Sequence, residues 1–305
     1  MTSGPGRRWR RMRPSRLAWT LFVAVALLAG RGTEAGQRYL MKGFVVQVDP
    51  SRRSFVVSHD AVPGVMAAMT MPFEVRDAKE LEGVAPGMTV EFTLVVEPED
   101  AYAEQVHIRT YEPTEQDPFT AQRLAQLKQL MAPTQVLPAV AVGSIVPDFT
   151  LIDQVRQPVT LSSLRGKVVA VNFIYTTCAL PQFCFRLANH FGAIQRRYSE
   201  RMGNDLVLLT VTFDPARDQP EVLAEYAKRW NVNPRTWHFL TGEVPDVTRV
   251  CGLFGVQAYR DDGLFNHSSH TAVIDRQGKL SANIEGNQYT TDQLADLVDA
   301  VIKQP

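Results

Sequence analysis

KVVAVNFIYTTCALPQFCF, residues 167–185, decides the fold. Its first nine residues are apolar nearly throughout, the pattern of a strand covered on both faces. From Phe185 to Tyr198 the pattern changes to a helix, with Phe185, Phe191, Ile194 and Tyr198 near one stripe. Two cysteines, Cys178 and Cys184, stand where strand gives way to helix. The same alternation continues downstream. LVLLTVTF (206–213) is a second buried strand, and Gln219 to Trp230 a helix with Asp218 and Pro220 as its start signal. HTAVIDRQGKLSANI reads as a hairpin turned at Arg276-Gln277-Gly278, and Thr291 to Ile302 as a closing helix. Strands alternating with helices predict an α/β sandwich over residues 142–305.

The segment before it is of another kind. From Tyr39 to Glu112, YLMKGFVVQVD, RSFVVSHD, GMTVEFTLVVE and AYAEQVHIRTY alternate apolar and polar residues over strand-length runs, with turns at Asp49-Pro50, Pro86-Gly87 and Pro98-Glu99-Asp100. About five short strands predict a small closed all-β barrel of the OB type over 36–112. Residues 113–141 read as a linker. Pro113, Pro118, Pro133 and Pro138 frame one short helix there, Phe119 to Met131. Residues 1–35 carry six arginines before the apolar run Leu17–Leu28, then small residues with Ala35 as a cleavage position: a signal-peptide layout, or an uncleaved anchor. No cysteine lies near it, so a lipid-modified signal is not expected.

The formal net charge of the chain is zero. Residues 1–35 hold seven arginines and one glutamate, and the remainder has 25 basic and 31 acidic residues, a net of −6. No basic patch for nucleic acid remains. A periplasmic or otherwise exported location is expected. An oxidising compartment lets disulfides persist, and three cysteines allow one pair. Cys251, set among apolar residues in VTRVCGLFGV, reads as a buried inert side chain.

Two soft-ligand clusters stand out. One is Cys178, Cys184 and His267, the last in FNHSSHTAVID; the other is His59, Met66, Met69 and Met71 in SHDAVPGVMAAMTMPF. Thiolate, thioether and imidazole favour Cu(I) over hard cations. Met69 and Met71 alternate, so an extended segment turns both to one side. Two thiolates and an imidazole hold Cu(I) in a trigonal site and, with a weak fourth ligand, Cu(II). A helix N-terminus near the cysteines is expected to lower a thiol pKa. If the two thiols oxidise to a disulfide, the site is lost, so the pair doubles as a thiol–disulfide switch. His190 and His238 read as structural. His270 is expected on the opposite side of a strand from His267. Asp214 and Asp218 read either as partner-facing or as turn and capping residues.

VGSIVPDFTLIDQ, the Cys178 segment, TFDPARDQPEVLAEYA and NHSSHTAVIDRQGK together resemble the Sco/SenC family of copper chaperones, over most of 142–303. The resemblance implies a thioredoxin-like domain and gives His267 the place of the family's distal copper ligand, with Asp275 eight residues on. The family has three residues between its cysteines; this chain has five, Ala179 to Phe183. Six apart on a regular helix, the two would point about 120° from each other. One of them must therefore sit on the loop before the helix.

Residues 39–112 resemble the CusF-like periplasmic copper-binding domain, on His59 and Met69-Thr70-Met71-Pro72-Phe73. That family binds Cu(I) through a histidine and two methionines, with a tryptophan ring against the metal. Met66 stands here in the tryptophan's place, either as a third thioether or as filling. Together the resemblances imply an exported copper chaperone that delivers copper to a partner, a cytochrome c oxidase subunit, with the first domain relaying copper to the second. The membrane enters only through an uncleaved anchor or a membrane-bound target. The alternatives are a thiol–disulfide oxidoreductase acting on a copper target, with Cys178 and Cys184 as its redox pair, and copper sequestration for resistance.

Overall fold

The computed structural model describes residues 36–110, 139–178, 181–261 and 264–304. The leader and the linker helix expected at 119–131 lie outside them. Among the described residues no helix is long and apolar enough to cross a membrane.

Five strands come first: β1 (Gln37–Asp49), β2 (Ser54–His59), β3 (Met69–Glu74), β4 (Thr89–Val96) and β5 (Ala101–Arg109). They form one antiparallel sheet in the order β3-β2-β1-β4-β5. The period-2 alternation is the cause: Met41, Val45, Phe55, Val57, Phe73, Val90 and Phe92 gather into a core of their own. Gly43 lets β1 approach β2 closely, since a Cβ there would stand 2.4 Å from Val57 Cγ1 and 2.8 Å from the His59 Cα. The expected closed barrel is not formed. The two sheet edges, β3 and β5, meet only through an isolated bridge between Val75 and Ala103. β3 is six residues long and contains Pro72, which has no N–H to give a ladder and so suits a free edge.

The second sheet has seven strands: β6 (Thr150–Asp153), β7 (Pro158–Thr160), β8 (Val168–Ile174), β9 (Leu206–Thr212), β10 (Trp237–Thr241), β13 (His270–Ile274) and β14 (Leu280–Glu285). Their order is β14-β13-β8-β9-β10-β6-β7, and a separate hairpin joins β11 (Ala258–Asp261) to β12 (Leu264–His267). β8, β9 and β10 run parallel; the flanking strands are antiparallel. Every residue of β8 and β9 is buried, as their unbroken apolar runs require. The helices are α1 (Arg186–Arg197), α2 (Pro220–Ala227), α3 (Val244–Leu253) and α4 (Thr291–Ile302). α2 is shorter than the pattern suggested and ends in a 3-10 turn over Lys228–Trp230. Phe185 also departs from its expected place in the helix stripe. It is 37% exposed and packs against Trp230, with ring centroids 5.3 Å apart. A capping box starts α4, where Thr290 and Gln293 satisfy each other's backbone N–H groups. At the β13–β14 turn Gly278 takes φ +81°, and the Asp275 carboxylate accepts from the N–H groups of Gln277 and Lys279.

The two sheets are not beads on a string. A bulge in β1 between Val45 and Gln47 leaves Val46 without a partner on β2. Phe44 and Val46 then join the second domain's core, while Val45 stays in the first. Phe44 stands 6.5 Å from the Tyr289 ring, and Gly87 abuts Ala282 and Ile284. Asp296 of α4 accepts hydrogen bonds from Ser58 and Thr70 across the same boundary. Calorimetry should therefore show one cooperative unfolding transition for the intact chain. Phe44→Ala should cost about 3 kcal/mol and split the transition in two. Two separate transitions in the unsubstituted chain would contradict the shared core.

Candidate metal centres

The first centre forms where the chain leaves β8. Tyr175, Thr176 and Thr177 carry it to Cys178, which is half-buried on the loop. Cys184 lies in a wide π-turn, Pro181–Phe185, that opens into α1. A wide turn accommodates the long spacing, and Cys184 ends 1% exposed. His267 arrives from the end of β12. The ligand atoms of Cys178, Cys184 and His267 all lie within 4.8 Å of one another. No other such group of cysteine, histidine and carboxylate side chains occurs among the described residues. All three cysteines are free thiols.

The surroundings set the chemistry. The His267 ring sits in an aromatic cage: Phe213 at 4.7 Å, Tyr175 at 5.8 Å and Phe183 at 6.2 Å between centroids. Its Nδ1–H donates to the Ser268 carbonyl at 3.2 Å, which leaves Nε2 with a free lone pair for a metal. Burial pushes the Cys184 thiol well above its ordinary value, and a hydrogen bond with Cys178 pushes the same way. The lowering expected from the helix terminus is thus outweighed at Cys184 by desolvation. The loop itself is held by Asp218. This fully buried carboxylate accepts from the Thr176 N–H at 3.0 Å and from the hydroxyls of Thr176 and Thr212. Desolvation raises its pKa, and those hydrogen bonds oppose the rise. Asp218 is therefore neither a helix cap nor partner-facing. The neighbouring Asp214 is also buried, and its carbonyl closes the turn onto the N–H groups of Arg217 and Asp218.

The remaining histidines and the third cysteine stand apart. His270 begins β13 rather than sharing a strand with His267; its Nδ1 meets Asn283 at 3.2 Å. His190 meets the Thr291 hydroxyl at 2.7 Å, and burial lowers its pKa to about 4. His238 pairs with buried Asp153 at 3.0 Å. Cys251 is buried in α3, and desolvation pushes its thiol up to about 12.

The second candidate centre lies at the end of the β2–β3 ladder. His59 pairs with Met69, and Val57 with Met71, so both methionines share the sheet face of His59. His59 is 2% exposed. Its Nδ1–H donates to the Asp60 carbonyl at 2.7 Å, and its buried Nε2 has no hydrogen-bond partner. A buried imidazole nitrogen with a free lone pair calls for a partner. Met69 is 51% exposed, so it is not core filler. Met71 and Met66 are half-buried against the first domain's core; Met66 is presented by a tight turn bridged to Val62.

The family model described as SCO1/SenC matches residues 140–303, more than half of the chain. The chain belongs to the SCO1/SenC family. Residues 38–108 match a second model, described as copper binding periplasmic protein CusF. A SCO2-like protein of Rickettsia typhi is 34% identical over 138 residues, covering 43% of this chain and 65% of that protein. The SCO1 protein homolog of Bacillus subtilis is 30% identical over 161 residues, covering 51% of this chain and 82% of that protein. The chain thus spans just under two thirds of the Rickettsia protein's length. The crystal structure of yeast Sco1 with copper bound is 27% identical, covers 53% of this chain and 90% of that one, and has a TM-score of 0.45. Cys178, Cys184 and His267 lie within the SCO1/SenC match, and His59, Met66, Met69 and Met71 within the CusF match.

The cage of Tyr175, Phe183 and Phe213, and the roles of Thr176 and Thr212, carried no sequence signal. Two consequences are measurable. Cys184 holds its proton at neutral pH, so a metal must displace it. Copper affinity at the cysteine centre should therefore rise with pH by roughly tenfold per unit for each proton released. Chelator competition between pH 6 and 8 reads this, and a flat profile would contradict it. Iodoacetamide at pH 8 should alkylate Cys178 in the folded chain and leave Cys251 unmodified until denaturation.

Proposed function

We propose that this protein is an exported copper chaperone. It binds Cu(I) through Cys178, Cys184 and His267 and hands it to a copper-receiving protein, for which the family points to a cytochrome c oxidase subunit. One observation supports this above the rest: two thiol sulfurs and one imidazole, all within 4.8 Å, with no carboxylate in the group. Hard cations want oxygen ligands, and this set offers none. The aromatic cage lowers the local dielectric and disfavours water as a competing ligand. His59, Met69 and Met71, with Met66 as a further thioether, supply a second Cu(I) site in the same reading. Two sites on one chain raise the effective concentration for passing copper between them.

A specific observation favours one further reading, thiol–disulfide exchange. Cys178 and Cys184 already share a hydrogen bond, and only Cys178 is reachable. The Cys178 thiolate would attack a target disulfide, forming a mixed disulfide and releasing one target thiol. Cys184 would then attack the Cys178 sulfur and release the second. The target gains two electrons and two protons, and the pair becomes a disulfide.

The test is to load the chain with Cu(I), mix it with the apo form of a soluble copper-binding domain of an oxidase subunit, separate them and measure copper on each. Copper should move to the receiver, and Cys178→Ser should abolish the transfer. Retention of all copper by the unsubstituted chain would contradict delivery. Reduction of an oxidised receiver by the copper-free chain would favour the exchange reading.

A further inference from the structure

We propose that Asp296, on the last helix of the second domain, positions the histidine–methionine centre of the first; this rests on the reading of that centre as a Cu(I) site. The His59–Met69 pair is the last of the β2–β3 ladder. Beyond it the chain runs through 60–68 without a strand, tied by the Asp60 N–H to the Lys42 carbonyl at 2.9 Å and by the Val62–Met66 bridge. β3 is an edge strand, joined on its far side only at Val75. A terminal pair on an edge strand is the part of a sheet that opens most readily. His59 is held on its other side by Gly43 of β1, whereas Met69, the first residue of the edge strand, has a strand on one side alone, so their separation depends on how firmly β3 stays paired to β2.

The second domain supplies what is missing. Ser58 and Thr70 form the register pair immediately before His59 and Met69, and their side chains face the opposite side of the sheet. A single oxygen, Oδ2 of Asp296, accepts from Ser58 Oγ at 2.9 Å and from Thr70 Oγ1. One atom thus ties β2 to β3 one residue from both ligands. Two charge-assisted hydrogen bonds across a boundary hold the strands more firmly than neutral ones would. α4 is itself anchored by its capping box and by the buried Leu294, Ala295, Leu297 and Val298 that flank Asp296. The strands are stapled to a rigid element, not to a mobile side chain. By linkage, copper at the first centre must tighten the docking by the same factor that docking tightens copper binding.

The experiment uses the full chain with Cys178→Ser and Cys184→Ala, so that Cu(I) held by the first domain is read alone. Affinity is measured by competition with a Cu(I) chelator. Adding Asp296→Ala should weaken binding about tenfold. Asp296→Asn, whose amide oxygen still accepts both hydroxyls, should stay within about twofold. Asp292→Ala is the control: it removes an exposed carboxylate from the same helix and should change nothing. Cu(I) should also slow amide exchange across 292–300 in the parent and fail to do so in Asp296→Ala. A role in stability alone would lower the melting temperature and leave affinity unmoved. Equal affinity of parent and Asp296→Ala would overturn the proposal, as would equal losses from Asp296→Ala and Asp296→Asn. If Met69→Ala leaves binding unchanged in the same background, the centre itself is misread and the positioning role falls with it.

Discussion

The buried carboxylate of Asp218 holds the loop on which the cysteine centre depends. Cys178 has no regular element of its own. It stands two residues past Thr176, whose N–H and hydroxyl both bind Asp218. A carboxylate removed from water is costly unless it is well hydrogen-bonded. Thr212 meets that demand from the end of β9, and Thr176 from two residues beyond the end of the adjacent parallel strand β8. The chain therefore leaves β8 in one direction, and Cys178 is set facing the π-turn of Cys184. His267 comes from a separate hairpin and is fixed by ring contacts with Tyr175, Phe183 and Phe213 rather than by a charge.

Much of this was legible in the sequence, and the reason is periodicity. β8 and β9 are unbroken apolar runs, and their burial on both faces follows from that composition. α4 covers Thr291–Ile302, the span read from the sequence, and the structure adds the capping box of Thr290 and Gln293 at its start. The long cysteine spacing carried its own geometric implication, that one cysteine must lie ahead of the helix. What stayed hidden depends on contacts between distant segments. Nothing local distinguishes Asp218 as a loop anchor from Asp218 as a cap, because both roles want a short carboxylate before Pro220. Desolvation of Cys184 is equally invisible, since it comes from the elements that close over the thiol. The unclosed barrel turns on one short edge strand with a proline in it.

The largest surprise lies between the domains. In the sequence, Phe44, Val45 and Val46 read as one strand serving one core. In the structure a bulge sends Val45 to the first core, and Phe44 and Val46 to the second. Burial can be inferred from a pattern; whose core receives the side chain cannot. A proline-containing linker separates the two domains along the chain, yet the described residues share apolar contacts and the Asp296 hydrogen bonds. The face of β2 and β3 that is docked is the one opposite His59 and Met69, so docking leaves the candidate ligands on the side away from the contact.

The central claim is that each domain holds one soft-ligand copper centre. X-ray absorption at the copper K-edge, on Cu(I)-loaded full chain and on its Cys178→Ser/Cys184→Ala form, tests it most directly. The account predicts one copper per domain in the full chain, with sulfur and imidazole scatterers. The substituted chain should keep a single copper bound by thioether sulfur and imidazole. Loss of all copper from the substituted chain, or oxygen scatterers in place of sulfur in either sample, would contradict it.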